Sequence, residues 1–253
     1  MIPLIKKELR LYFSSSLFYV VAMVFLLVTD YLFFGQINYY SALAAQAMQF
    51  QQSGIQLNLH TVVFRPAMMN MGVVLLLITP LLTMRLIAEE KKTRTIELLL
   101  TSPITITAIV LAKFLSAFLV YLLLLALTLH IPILLAMITA VSVKPLLSAY
   151  LGMVLVGGSF IALGLFASSM TENQIIAAVV SFGMLIGLWM IGISAQDAGE
   201  TPMGHFFNFL SLVDHLDNLL KGLIATSDIG YFISLITLGL FLSHRVVEST
   251  RWK

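Results

Sequence analysis

The stretch Phe114-Leu-Ser-Ala-Phe-Leu-Val-Tyr-Leu-Leu-Leu-Leu-Ala-Leu-Thr-Leu-His-Ile-Pro-Ile-Leu-Leu-Ala-Met137 runs for 24 residues without an Asp, Glu, Lys or Arg. A helix crosses the hydrocarbon of a bilayer in about 20 apolar residues, so this run is long enough to span. No water reaches the backbone at that depth, and a helix satisfies its own N–H and C=O groups. Working outward, five more runs of comparable character follow the same rule: Leu17–Phe34, Ala67–Met84, Leu146–Ser168, Ile175–Ser194 and Ile229–Ser243. The sequence therefore predicts an all-α polytopic membrane protein, one transmembrane domain over residues 1–253 with six spanning helices at 17–34, 67–84, 114–137, 146–168, 175–194 and 229–243. Composition agrees: 60% of the 253 residues are hydrophobic and 10% charged, with a mean hydropathy of +1.01, against roughly 25% charged residues in a soluble domain.

The formal charge is only +2, which excludes a basic nucleic-acid binder. With no cysteine, disulfide frameworks, thiolate metal sites and cysteine catalysis are excluded as well. How the few charges are spread says more than their sum. Six spans put both termini on one side, which then holds Lys6, Lys7, Arg10, Arg85, Lys91, Lys92, Arg94, Lys113, Arg245, Arg251 and Lys253, while Arg65, Lys144 and Lys221 fall on the other. Eleven basic residues against three assign both termini to the cytoplasm. Subtracting six acids on each side, with Asp30 counted outside, leaves +5 inside and −3 outside.

Ahead of the first span, residues 1–14 carry Lys6, Lys7 and Arg10 beside Leu4, Ile5, Leu9 and Leu11, the pattern of an amphipathic helix lying in the interface. Ala42-Leu43-Ala44 resembles a signal cleavage site, but the apolar run is too long and too far from it, so the first span is read as retained. The external stretch Gly35–Pro66 reads as a loop with a short helix through Ser41–Gln52. A second external stretch, Ala195–Asp228, contains the amphipathic run Phe206–Ala225. There Phe207, Leu210, Leu216, Leu219, Leu220 and Leu223 face lipid or protein and Asp214, Asp217 and Lys221 face water, giving an outer-leaflet or re-entrant segment before the last span.

Chemistry is sparse. No phosphate-binding G-x-x-x-x-G-K-[ST], no H-E-x-x-H, no G-x-S-x-G and no paired metal-ligand spacing occurs, so catalysis in this chain is not expected. Ionisable residues at membrane depth mark function by default. Asp30 reaches the outer interface or lines a pathway. Lys113 snorkels from the cytoplasmic end of the third span. His130 is read as hydrogen-bonded to a neighbouring helix in preference to a proton relay, with no acidic partner evident at its depth. Gly183 and Gly187 form a GxxxG in the fifth span, Gly158/Ala162 and Gly164/Ser168 repeat the spacing in the fourth, and such steps permit close helix contact, within the subunit or between subunits.

The most charged stretch is Ala88-Glu-Glu-Lys-Lys-Thr-Arg-Thr-Ile-Glu-Leu-Leu-Leu-Thr-Ser-Pro103. Charges alternate in blocks, then Ile96, Leu98, Leu99 and Leu100 crowd together before Ser102-Pro103 ends the run. A solvated loop has no need of that apolar cluster, so residues 85–103 read as a docking element for a cytoplasmic partner, with a surface helix resting on the headgroups as the alternative. Here the sequence resembles the permease subunits of type-2 ABC exporters, whose coupling helix has the form E-x-x-x-G-T-x-E-L-L-L-x-x-P; this chain has Glu90, Arg94 in place of the glycine, Thr95, Glu97, Leu98, Leu99, Leu100 and Pro103. Lys6-Lys-Glu-Leu-Arg10, Ala167–Ile175, Asp214–Gly222, Asp228–Phe232 and Arg245–Trp252 extend the resemblance to the gliding-motility-associated branch of these permeases, over nearly the whole chain.

The resemblance implies an N-terminal elbow helix, a re-entrant helix pair, and assembly of two permeases, as a homodimer, with two ABC ATPase subunits in a bacterial inner membrane. It further implies that ATP and Mg2+ are bound by the partner ATPase and not by this chain, and that Glu89, Glu90, Arg94, Thr95, Glu97 and the leucines transmit ATPase closure to the spans. An auxiliary subunit with a large extracytoplasmic domain often accompanies this branch. An ion-coupled secondary carrier and a non-transporting membrane scaffold are the competing readings.

Overall fold

In the computed structural model, residues 1–49, 58–101, 104–138, 143–198 and 201–250 are described, and among them the regular structure is entirely helical. Helix α1 (Ile2–Ser14) turns at Ser15, whose backbone is extended, into α2 (Ser16–Gln49). A π turn over His60–Phe64 leads into α3 (Arg65–Thr83), followed by the short α4 (Ala88–Lys92) and α5 (Thr95–Thr101). Then come α6 (Ile106–Leu127), α7 (His130–Ile138), α8 (Val143–Met170) and α9 (Gln174–Ala198), and the chain finishes with α10 (Pro202–Leu210), α11 (Leu212–Leu220) and α12 (Thr226–Thr250). Six segments are long and apolar enough to cross a membrane. The start of α1 and the end of α12 therefore lie at one end of the bundle, the proximal end, together with α4 and α5.

Helix ends extend past several of the expected span limits, α6 starting at Ile106 and α12 running over Thr226–Thr250, and two further differences have a physical reason. The first span does not stop at Phe34 but continues as one helix through Gly35 to Gln49, so the separate short helix expected from Ser41 merges with it; its continuation, residues 50–52, lies outside the described residues. One helical glycine costs only about 1 kcal/mol, and no proline interrupts residues 35–49, which are rich in alanine. The third span, expected as one run, breaks after Leu127. Pro132 cannot donate to the carbonyl four residues back and its ring crowds it, which frees Thr128 O. That oxygen accepts from Tyr150 Oη (3.1 Å) and from Ile131 N (3.0 Å).

Helices α3 and α8 form the buried centre, whereas α2, α9 and α12 leave most of their surface uncovered. Lipid is as apolar as leucine, so close approach and not hydrophobic expulsion holds such helices together. The small residues of α8 serve this. A methyl group on Gly164 would run into the Thr83 side chain of α3, and one on Gly239 of α12 would stand 2.8 Å from the Ala162 backbone.

At the other, distal end, α10 and α11 are two short helices sharing Ser211, which ends the first and caps the second by accepting from Asp214 N. Leu212, Leu216, Leu219 and Leu220 of α11 are fully buried, and Ser148 of α8 donates to Leu219 O at 2.7 Å. Gly222 stops the helix at φ 86, with Leu223 N bonded to Asn218 O and Gly222 N to Leu219 O, a left-handed cap that glycine adopts without strain. Asp217 does not simply face water. Arg65 grips it with two hydrogen bonds of 2.7 Å, and Lys221 stands 2.8 Å away. Leu223, expected on the apolar face, is exposed.

Candidate functional site: the proximal junction

Three elements meet at the proximal end because their apolar residues recur at helical spacing. On α1, Leu4, Glu8 and Tyr12 stand one turn apart and all three are buried, leaving Lys6 and Arg10 exposed. Leu4 packs with Ile109 and Ala112 of α6, and Leu99 of α5 rests on that cluster. Tyr12 Oη donates to Leu82 O at 2.7 Å, tying the elbow to the end of α3. Burial, with Glu8 adding to it, pushes the Tyr12 hydroxyl well above its ordinary range, so it remains a donor.

Glu8 faces Lys113, which is 1% exposed at the side chain. Lys113 Nζ donates to Glu8 Oε1 at 3.0 Å and lies 2.8 Å from Glu90 Oε2. The second contact is close but off the hydrogen-bond direction, leaving Glu90 Oε2 without a hydrogen bond, so its attraction is coulombic. Glu90 Oε1 accepts from Lys7 Nζ at 3.2 Å. Two lysines and two glutamates thus form a neutral cluster across α1, α4 and α6. This corrects the expectation that Lys113 snorkels to water: its ammonium is turned inward because two carboxylates are there to receive it. Beside the cluster is a cavity of about 380 Å3 that Arg85, Glu89 and Thr95 also line.

The stretch from Glu89 to Leu100 folds as two short helices on this foundation. Ser168 Oγ, at the end of α8, accepts from Ile87 N and Ala88 N, both at 3.1 Å, and donates to Met84 O at 3.0 Å. Lys91 Nζ donates to Ser169 O at 2.6 Å. Thr93 then closes α4, and Arg94 makes the turn to α5 at φ 57, within the left-handed region. The glycine position of the resembling motif is therefore a left-handed position here too, held by a residue that pays roughly 1–2 kcal/mol for it. Thr95 Oγ1 stands 3.0 Å from Thr93 Oγ1 and 3.4 Å from Glu90 O.

The predicted site residues consequently divide. Glu89, Arg94, Thr95 and Glu97 are exposed, Glu90 and Ile96 are buried, and Leu99 is half-buried against α1 and α6. Leu98 and Leu100 stand on α5, while Ser102-Pro103 lies outside the described residues. The apolar cluster is thus used at least in part within the chain. What the junction presents outward is a polar rim over a rigid buried ion cluster. Sequence reading missed Glu8 and Lys7 as members, although the placement of Glu8 between Leu4 and Tyr12 at four-residue steps was a usable signal.

The family to which this arrangement belongs is shown by comparison. Residues 41–243, about four-fifths of the chain, match the model of the ABC-2 family transporter protein. The chain belongs to the ABC-2 transporter family. No curated protein matches it. As an ABC-2 protein it is a membrane component of an ABC transporter, and the proximal junction lies within the matched region apart from α1.

The remaining predicted residues of this ABC-2 chain are placed apart from the junction. Asp30 of α2 and His130 of α7 meet, with His130 Nε2 2.8 Å from Asp30 Oδ1 and Nδ1 2.8 Å from Leu127 O. The absence of an acidic partner for His130 is thereby corrected: the partner is 100 residues away. Both side chains are over one-third exposed, and each ring nitrogen of His130 stands at hydrogen-bond distance from an oxygen. Gly183 and Gly187 have nothing within 4 Å of an added methyl, so in α9 this pair makes no close helix contact among the described residues. No group of three or more His, Cys, Asp or Glu with metal-binding geometry occurs among the described residues.

Proposed function

We propose that this ABC-2 protein is the permease subunit that couples ATP hydrolysis by a separate ATPase to export across, or mechanical signalling through, a bacterial inner membrane. The observation that carries the reading is the buried Lys113 cluster, which joins the segment bearing Glu89, Arg94, Thr95 and Glu97 to the elbow helix and to the third span. A force on α4 and α5 is then passed to α6 and α1 through charges that cannot separate without leaving the buried Lys113 ammonium or its carboxylates unpaired. Such a stroke needs a partner that meets the exposed rim differently in its nucleotide-bound and free states, or nothing shifts.

In this reading the termini are cytoplasmic, as the excess of basic residues at the proximal end supports. ATP and Mg2+ belong to two partner ATPase subunits, and a second permease copy completes the assembly as a homodimer. The open Gly183/Gly187 surface of α9 is available to that copy. The gliding-motility-associated branch, with an auxiliary extracytoplasmic subunit, is the finer assignment. Glu97→Lys is expected to abolish permease-dependent stimulation of ATPase activity while membrane insertion is kept; undiminished stimulation in that variant overturns the proposal.

The half-exposed Asp30–His130 pair favours one second reading, an ion-coupled carrier. Loss of transport in Asp30→Asn, in a purified complex without any nucleotide-binding subunit, would establish it. A scaffold that transmits ATPase motion without transport shares the coupling prediction and is distinguished by the absence of any cargo retained in the complex.

A further inference from the structure

Between α6 and α12, at the proximal end, there is a cavity of about 440 Å3, within the roughly 300–1,000 Å3 of ligand sites. Val110, Leu111, Leu240 and Phe241 form its walls, and His244 and Arg245 stand at its mouth. Both helices belong to the segments able to span a membrane, and Phe241 is half exposed, so the groove opens on the outer surface of the bundle where acyl chains lie. Arg245 follows the apolar part of α12 and holds its guanidinium over the Phe241 ring at 5.2 Å.

Arg245 at the mouth has a carboxylate next to it, that of Glu248, which stands just beyond the lining residues. Arg245 Nη1 donates to Glu248 Oε2 at 3.0 Å, and His244 Nδ1 lies 3.9 Å from that same oxygen. The side chains of Arg245 and Glu248 are 61% and 38% exposed, so each has a face turned outward. A guanidinium has five N–H donors; among the described residues one of them is engaged, by Glu248, and the rest form a fork for a phosphate. Glu248 next to it is an acceptor for a cation. A purely anionic headgroup would set its phosphate against the Glu248 carboxylate, and a quaternary ammonium has no N–H to donate to it.

We propose that this groove is a binding site for one phospholipid with a zwitterionic, primary-ammonium headgroup of the phosphatidylethanolamine type. Its phosphate sits on Arg245, its ammonium on Glu248, and an acyl chain lies along Val110, Leu111, Leu240 and Phe241. The site requires no nucleotide and no ATPase, so it stands or falls independently of the coupling reading.

The test is lipid retention by the purified full-length chain, read by native mass spectrometry after exposure to an equimolar mixture of phosphatidylethanolamine, phosphatidylcholine and phosphatidylglycerol. The wild type is expected to retain phosphatidylethanolamine over each of the others by about tenfold, the factor for one charge-assisted hydrogen bond. Glu248→Leu should erase the preference over phosphatidylcholine without erasing retention, and Arg245→Leu should lower retention of every lipid. Leu240→Trp, which fills the groove and touches neither charge, should abolish retention in protein that still elutes as a single species. Equal retention of the three lipids by the wild type, preference for phosphatidylglycerol, or unchanged discrimination in Glu248→Leu would overturn the assignment.

Discussion

Replacing Lys113 by Met removes the one ammonium shared by Glu8 and Glu90 while keeping an unbranched side chain of similar length. In the wild type the Lys113, Glu8 and Glu90 side chains are 1%, 7% and 10% exposed, so when the lysine goes each carboxylate loses its buried cation and is left with only the adjoining cavity as a source of water. Glu90 keeps Lys7 at 3.2 Å, but that lysine is half exposed and cannot also reach Glu8 without leaving it. Removing one partner of a buried ion pair costs about 3–5 kcal/mol, and every 1.4 kcal/mol is tenfold in an equilibrium. Opening of the junction between α1, α4 and α6 should therefore rise by about 10²- to 4 × 10³-fold. Amide hydrogen exchange along α1 and α4 of the purified chain reads this directly, because protection falls in step with local opening. The double variant Glu8→Gln/Lys113→Met removes one of the two stranded charges and should recover part of the protection, which a double-mutant cycle converts into a coupling between the two sites. Exchange in Lys113→Met as slow as in the wild type, or a double variant that simply adds the two single losses, would refute the idea that this cluster holds the junction.

Four shorter expectations accompany it. Arg94→Gly relieves the left-handed penalty at φ 57 but gains flexibility when unfolded, so the net gain is about 0.5–1 kcal/mol, visible as a higher denaturation midpoint. Asp217 works against burial, yet Arg65 and Lys221 outweigh that and hold its carboxyl below its ordinary 3.8. Its contribution is therefore present above that value and lost as pH falls through the lower, folded one, so α11 should lose exchange protection only in acid, and Arg65→Gln, which leaves Lys221 in place, should weaken that dependence. Gly164→Ala forces a methyl onto Thr83 and should cost about 1–3 kcal/mol by thermal unfolding, whereas Gly183→Ala meets open space and should leave the isolated chain unchanged. If α9 also forms the contact between two copies, Gly183→Cys should give a symmetric disulfide dimer on oxidation; monomer alone would count against that face.

The parts legible in the sequence are those written locally. Six apolar runs announce six spans since each backbone must satisfy itself within its own segment, and the amphipathic spacing of residues 2–14 and 206–225 announces surface helices. The junction was legible only in part. Glu89 to Leu100 stood out by its block of charges, yet the sequence assigned Glu90 and the leucines to a partner, and the structure gives Glu90 to Lys113 and Leu99 to Leu4, Ile109 and Ala112. The end of the first span was misplaced for a related reason: Gly35 and the polar residues after it resemble a loop, but nothing in them breaks a helix once the preceding turns exist.

By itself the sequence determined that the chain belongs in a membrane, that six of its segments are apolar enough to cross one and where the charges gather, all of them consequences of composition over stretches of about 20 residues. Tertiary structure decided which charges meet: Lys113 with Glu8 from 105 residues away, His130 with Asp30 from 100, and Arg65 with Asp217 from 152. In a low-dielectric interior an unpaired charge is far more costly than a paired one. Those partners are therefore selected by the packing of whole helices, which no local pattern encodes.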